Sequence, residues 1–212
     1  APCYNLRTLI RSRTLVTKPG GRIMNFDVRP SQRLNLFHHY NVPSNFEDNI
    51  TRALLCVISR STHRYAVATE FLRMVANSLE DNAGPDVPPA ILRTLREPDE
   101  LVCNLQDDVT DWADKEEAED MHPILVLIEP QKAGATPPFS GVEGRSRADA
   151  TVAVSSGGAT GVFLVLENKR KQNVPERQIA KYRNNLAKGD LPIAEMEWKD
   201  LYDRLNRLAE NV

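Results

Sequence analysis

Long apolar stretches are missing from this chain of 212 residues. Runs such as Ile124 to Ile128 and Val162 to Leu166 fall far short of the roughly 18 residues that a bilayer-spanning helix needs, so no membrane partner is expected. Cysteine is scarce. Cys3, Cys56 and Cys103 are odd in number and lack metal-ligand spacing, which favours reduced thiols over a disulfide framework. The four histidines, His38, His39, His63 and His122, share no ligand spacing, so zinc is not expected. A phosphate-cradling glycine loop is lacking too: Gly157-Gly158 precedes a strand rather than a helix, which gives ATP binding no support. Arg7, Arg11 and Arg13 precede no compact apolar stretch with a small-residue cleavage site, so a secretory leader is not expected. Together with the thiols, this makes a cytoplasmic location the expectation. No internal repeat is visible.

What remains, 41% hydrophobic and 26% charged residues, suits one globular domain with a proper core, or one domain plus extra elements. The formal net charge of -2 hides an asymmetry. Residues 80–120 carry fourteen acidic against three basic side chains, whereas 167–188 carries seven basic against two acidic ones. A basic block attracts polyanions, although such a face is more often only solvated. The eight acids and single lysine of 107–120 read as a solvated loop or helix face, with mimicry of a nucleic-acid backbone as the sharper alternative.

Residues 1–43 are basic and short of helical periodicity, broken at Pro19-Gly20-Gly21, and read as a poorly defined N-terminal extension with a short strand near Leu34 to Phe37. The domain proper is expected over 44–212, with an acidic insertion at about 82–120. Ile50, Leu54, Val57 and Ile58 predict a helix from Phe46 to Ser59, with Ser44 and Glu47 in capping-box spacing. Val67, Phe71, Met74 and Val75 predict a second helix over Thr62 to Leu79 that packs on the first. Beyond Pro85, Pro88 and Pro89, a short helix is expected at Ala90 to Arg96 and a strand at Leu101 to Leu105. Pro123 to Glu129 reads as a strand. Ala148 to Val154 and Val162 to Lys169 read as two strands of a hairpin turned by Gly157, Gly158 and Gly161. A helix follows from Pro175 to about Lys188, faced by Ile179, Tyr182 and Leu186; then come a strand at Leu191 to Met196 and an amphipathic helix at Trp198 to Leu208.

Chemistry concentrates in this last third. The run Val162 to Leu166 is apolar without alternation, as a strand buried on both faces requires. Glu167 and Lys169, two apart at its end, leave the same face of the sheet, and Asp149 on the paired strand is at the right offset to join them. Two carboxylates held close repel, and a hard divalent cation relieves that repulsion. An ammonium beside them can orient water or offset charge in a phosphoryl-transfer transition state. The bland reading is a structural salt-bridge cluster, Lys169 with Glu167 and Arg147 with Asp149.

Asp on one strand, a glycine-rich hairpin, a buried run into Glu167-Asn168-Lys169 and then a basic helix resemble the PD-(D/E)XK nuclease superfamily. Ala148-Asp149 stands where that family has Pro-Asp, so its proline is missing here. Gln178 and Tyr182, four apart on one helical face, are similar to the Q-x-x-x-Y motif of RecB-like members, the bland reading being a core tyrosine and a surface amide. The likeness covers Gly144 to about Leu186. It implies an α/β fold with a restriction-endonuclease-like mixed sheet, expected to hold four or five strands, flanked by helices. It further implies Mg²⁺ or Mn²⁺ held by Asp149, Glu167, the main-chain carbonyl of Asn168 and Glu47, a residue whose other reading is the helix cap. Lys169 is implied as the water-positioning group, with Gln178 and Tyr182 supporting the site. Arg170, Lys171, Arg177, Lys181 and Arg183 are expected to meet phosphates of a nucleic acid, DNA favoured over RNA. The implied setting is prokaryotic restriction or anti-phage defence, then DNA repair, with a homo-oligomer or a larger defence complex as further partners. The rivals are a catalytically silent nuclease-like module that binds nucleic acid or assembles with protein, and a partner-binding domain whose interface is the acidic block. Met24 opens a more ordinary-looking stretch and is read as a candidate start; the intact mass of the native protein is expected to match a chain beginning there.

Overall fold

A strand with an apolar run that does not alternate needs cover on both sides, and the whole architecture is arranged around one such strand. The computed structural model describes residues 14–17, 23–28, 51, 53–58, 64–83, 87–105, 108–130, 147–157, 161–169, 173–187 and 190–210. Among the described residues, seven strands form a mixed sheet: β1 (Thr14–Thr17), β2 (Ile23–Val28), β3 (Glu100–Leu105), β4 (Met121–Glu129), β5 (Ala150–Ser155), β6 (Gly161–Asn168) and β7 (Ile193–Glu197). Their order is β1-β2-β3-β5-β6-β4-β7. The helices are α1 (53–58), α2 (Arg64–Ala83), α3 (Pro89–Arg96), α4 (Glu176–Leu186) and α5 (Trp198–Glu210). The class is therefore α/β, a mixed sheet flanked by helices, compatible with a restriction-endonuclease-like core.

β6 lies between β5 and β4, antiparallel to the first and parallel to the second, and every residue from Val162 to Asn168 is buried. Alternation then sorts the side chains. Ile124, Val126, Ile128, Val162, Leu164 and Leu166 join a cluster with α1, α2, α3 and α5. Leu125, Leu127, Phe163 and Val165 join Ile179, Tyr182 and Leu186 of α4 on the opposite side. The expected helix pair shares the first cluster through Leu54, Leu55 and Ile58 of α1 and Val67, Phe71 and Val75 of α2.

The expectation of four or five strands falls short. β3-β5-β6-β4-β7 make up the five central strands, and the antiparallel pair β1-β2 extends the sheet through parallel pairing of β2 with β3. This pair lies in the segment read as a poorly defined extension; β1 has only four residues, whereas β2 carries a period-two alternation, Met24, Phe26 and Val28 against Asn25 and Asp27, that marks it as a strand. Met24 falls inside β2, opposite Val16. Residues 82–120 likewise contribute α3 and the doubly paired β3 to the core. The strand expected at Leu34 to Phe37 and the capping pair Ser44 and Glu47 lie outside the described residues.

The acidic stretch is held down by its apolar residues. Two 3-10 turns, Trp112–Asp114 and Glu116–Ala118, leave Asp111, Asp114, Glu116, Glu119 and Asp120 exposed, while Val109 and Trp112 are buried. The Trp112 ring stacks on Phe163 of β6 with centroids 4.5 Å apart and planes 1° from parallel. Asp111 takes a left-handed φ of 54°, and its N–H donates to Asn185 Oδ1 of α4 at 3.1 Å. On the other side of the molecule, the Ser78 hydroxyl of α2 donates to the Glu195 carbonyl at 2.8 Å and accepts the Glu195 N–H at 2.7 Å. One side chain thus takes up both peptide groups of a residue in β7, the outermost strand among the described residues. Among the described residues, no helix is long and apolar enough to cross a membrane.

Replacing Trp112 with Ala removes the stacked partner of Phe163 and leaves a cavity under the acidic turns. Urea unfolding is expected to show a loss of about 3–5 kcal/mol, with a weakened near-UV aromatic signal.

Candidate functional site

The antiparallel register places Ala150 opposite Leu166, and the Asp149 N–H continues the ladder by donating to the Leu166 carbonyl at 3.1 Å. Asp149 is thereby set opposite Glu167 and on the same face of the sheet. Its Oδ2 accepts the Asn168 N–H at 2.8 Å. Lys169 shares that face by alternation. Its Nζ stands 2.9 Å from Glu167 Oε1, its N–H donates to the Ile128 carbonyl at 2.9 Å, and its own carbonyl accepts the Trp198 indole N–H at 3.1 Å. The peptide of Lys169 is therefore pinned from β4 and from α5, and its ammonium from Glu167.

Glu167 has only 1% of its surface exposed, against 16% for the Lys169 side chain. A carboxylate buried to that degree is costly unless its oxygens find donors. Lys169 satisfies Oε1, and the Tyr182 hydroxyl lies 2.6 Å from Oε2. That hydroxyl also lies 3.0 Å from the Arg147 carbonyl; with one proton to give, the shorter contact to the carboxylate takes it. Burial raises the Tyr182 pKa above the usual tyrosine value, the charge of Glu167 and the hydrogen bond to it raise it further, and so does the charge of Asp149. A hydrogen bond from Gln178 acts in the opposite direction. Asp149, Glu167, Lys169, Gln178 and Tyr182 thus gather at one place.

The remaining expected residues divide. Asn168 is buried, and its N–H is engaged by Asp149. On α4, Arg177 is exposed while Lys181 and Arg183 are half-buried. Glu47, Arg170 and Lys171 lie outside the described residues. Glu129 and Trp198 were not anticipated as part of this neighbourhood. Glu129 ends β4 after the run Ile124 to Ile128 just as Glu167 follows Val162 to Leu166, so the same pattern of apolar run followed by acid was available to mark it. For Trp198, contact with a main-chain carbonyl leaves no sequence signal.

Asp149 and Glu167 can serve as oxygen ligands. Among the described residues, no group of three or more His, Cys, Asp or Glu side chains is arranged to hold an ion. A protein-only cage is thus absent there, whereas Mg²⁺ typically takes one or two carboxylates and keeps several waters. Two carboxylates completed by water are a donor set of the kind such a cation takes. Comparison with protein-family models, curated proteins and solved structures finds no match to the chain.

Tyr182→Phe deletes the donor to a buried carboxylate and is expected to cost about 1.5–3 kcal/mol in urea unfolding near neutral pH. Since the folded pKa of Tyr182 lies above that of the unfolded chain, the unfolded chain gives up this proton first. The associated stability is intact below about pH 10 and is lost as pH rises further. Wild-type stability is therefore expected to fall more steeply above that pH than the stability of Tyr182→Phe.

Proposed function

We propose that this chain is a divalent-metal-dependent nuclease of the PD-(D/E)XK superfamily that hydrolyses phosphodiester bonds, in DNA in preference to RNA. The observation carrying the reading is the common face of Asp149, Glu167 and Lys169 at the ends of adjacent strands, with the Lys169 ammonium 2.9 Å from Glu167. Asp149 and Glu167 would hold Mg²⁺ or Mn²⁺, helped by the main-chain carbonyl of Asn168 and by Glu47. When bound, such an ion polarises a phosphoryl oxygen and lowers the pKa of a coordinated water.

The chain's own groups supply the rest. The Lys169 ammonium carries three donors, one of them engaged by Glu167, and can orient an attacking water and offset charge developing on phosphoryl oxygens. Tyr182, hydrogen-bonded by Gln178, holds the Glu167 carboxylate through Oε2. Arg177, Lys181 and Arg183, together with Arg170 and Lys171, would meet backbone phosphates, a contribution that is independent of sequence and weakened by salt. The setting this reading implies is cytoplasmic, in prokaryotic restriction or anti-phage defence ahead of DNA repair. A homo-oligomer or a defence complex would be the protein partner.

One observation favours a second reading, a catalytically silent module that binds nucleic acid or assembles with protein: Lys169 and Tyr182 each engage an oxygen of Glu167. A cleavage assay on plasmid and linear DNA with Mg²⁺ separates the two. Glu167→Ala and Lys169→Ala are each expected to lower the rate by about 10²–10³, and chelation of the metal to abolish cleavage. Equal residual activity in wild type and both variants would mark contamination and overturn the nuclease reading. DNA retention with a steep salt dependence would then support the silent module.

A further inference from the structure

Glu129 has 1% of its surface exposed at the last position of β4, beside the site yet outside the Asp149, Glu167 and Lys169 set. In the parallel pairing of β4 with β6, Leu127 is opposite Glu167 and Ile128 opposite Asn168. The Lys169 N–H donates to the Ile128 carbonyl, so Glu129 follows as the lateral neighbour of Lys169 on the face that carries Glu167. Its Oε1 accepts the Val174 N–H at 2.6 Å.

Val174 is itself buried, in the cluster that contains Ile179 and Tyr182. The next residue, Pro175, caps α4, and its carbonyl accepts the N–H groups of Gln178 at 2.8 Å and Ile179 at 3.2 Å. A continuous path therefore runs from Glu129 through Val174 and the first turn of α4 to Tyr182, whose hydroxyl lies 2.6 Å from Glu167. Proline has no N–H of its own, so the Val174 amide is the last main-chain donor before the helix by which the start of α4 can be tied to the sheet. A helix rises about 1.5 Å per residue, so even a small slip of that start would carry the Tyr182 hydroxyl out of hydrogen-bond range.

We infer that Glu129 is a positioning residue: by holding the Val174 amide it sets where α4 begins, and so places Tyr182 against Glu167. Its consequence for cleavage rests on the nuclease reading above; its consequence for geometry does not.

NMR on the full chain tests the geometry, using two signals: the exchange protection of the Val174 amide, and the Tyr182 hydroxyl proton, assigned by its absence in Tyr182→Phe. In Glu129→Ala, Val174 protection is expected to fall by about ten- to a hundredfold, and the hydroxyl signal to vanish. Glu129→Gln keeps an acceptor oxygen at the same reach and is expected to retain both signals. Glu129→Asp, with its oxygens withdrawn by one methylene, is expected to lose both, and it replaces the alanine variant should that one fail to fold. A folded Glu129→Ala or Glu129→Asp with both signals intact overturns the inference, as does a folded Glu129→Gln that has lost them. In the cleavage assay, kcat of the alanine variant is expected to drop about tenfold with KM within about twofold, and the glutamine variant to recover it. A wild type that cleaves nothing while the NMR results hold removes the nuclease reading and leaves the positioning role standing.

Discussion

A carboxylate stripped of water at the end of a central strand must be met on both oxygens, and much of this molecule is organised to do that for Glu167. Removing such a group from solvent costs several kcal/mol, and the compensation comes from two directions. Lys169 reaches Oε1 from two residues along the same strand; Tyr182 reaches Oε2 from a helix that the chain enters only after leaving the sheet. Neither partner suffices alone. The attachment of α4 to the sheet is therefore an electrostatic requirement of Glu167 as well as a matter of apolar packing.

The division of the sheet into two faces follows from the same strand. Even-numbered residues of β4 and β6 feed the larger cluster beneath α2, α3 and α5, and the odd-numbered ones feed the smaller cluster beneath α4. Along the smaller side, hydrophobic residues occupy the middle of each strand and charged ones its end: Leu125 and Leu127 lead to Glu129, and Phe163 and Val165 lead to Glu167 and Lys169. Polarity thus rises at the edge where α4 begins. The aromatic stack of Trp112 on Phe163 covers the opposite end of that face, which keeps a strongly acidic segment close to the sheet while its carboxylates stay in solvent.

Much of this was legible in the linear pattern. The unalternating run before Glu167, the two-residue spacing to Lys169, the hairpin offset to Asp149 and the helical spacing of Gln178 and Tyr182 are all local regularities, and the structure gathers those five residues at one place. Helix and strand positions from Arg64 onward agree with the expected ones to within a few residues, for instance Trp198–Glu210 against an expected Trp198 to Leu208. Strand order was not legible. That β4 lies between β6 and β7, with two parallel neighbours, depends on crossovers that leave no periodic trace; the apolar run before Glu129 repeats the one before Glu167, but only that placement sets Glu129 beside Lys169. In the β1-β2 pair, the four residues of β1 carry little pattern, while the alternation of Met24, Phe26 and Val28 with Asn25 and Asp27 in β2 was a legible signal that stands alone in a basic segment without helical periodicity.

The Ser78 clasp on Glu195 has a bearing on how copies of this protein meet one another. A sheet margin with unpaired peptide groups is a template for an incoming strand, and proteins commonly guard such margins with charge, proline or a covering element. Here a serine from α2 already occupies the hydrogen-bonding positions that a foreign strand would seek at the middle of β7. Lateral growth of the sheet from that side would have to unseat a helix first, so the fold carries its own guard against edge-to-edge aggregation there.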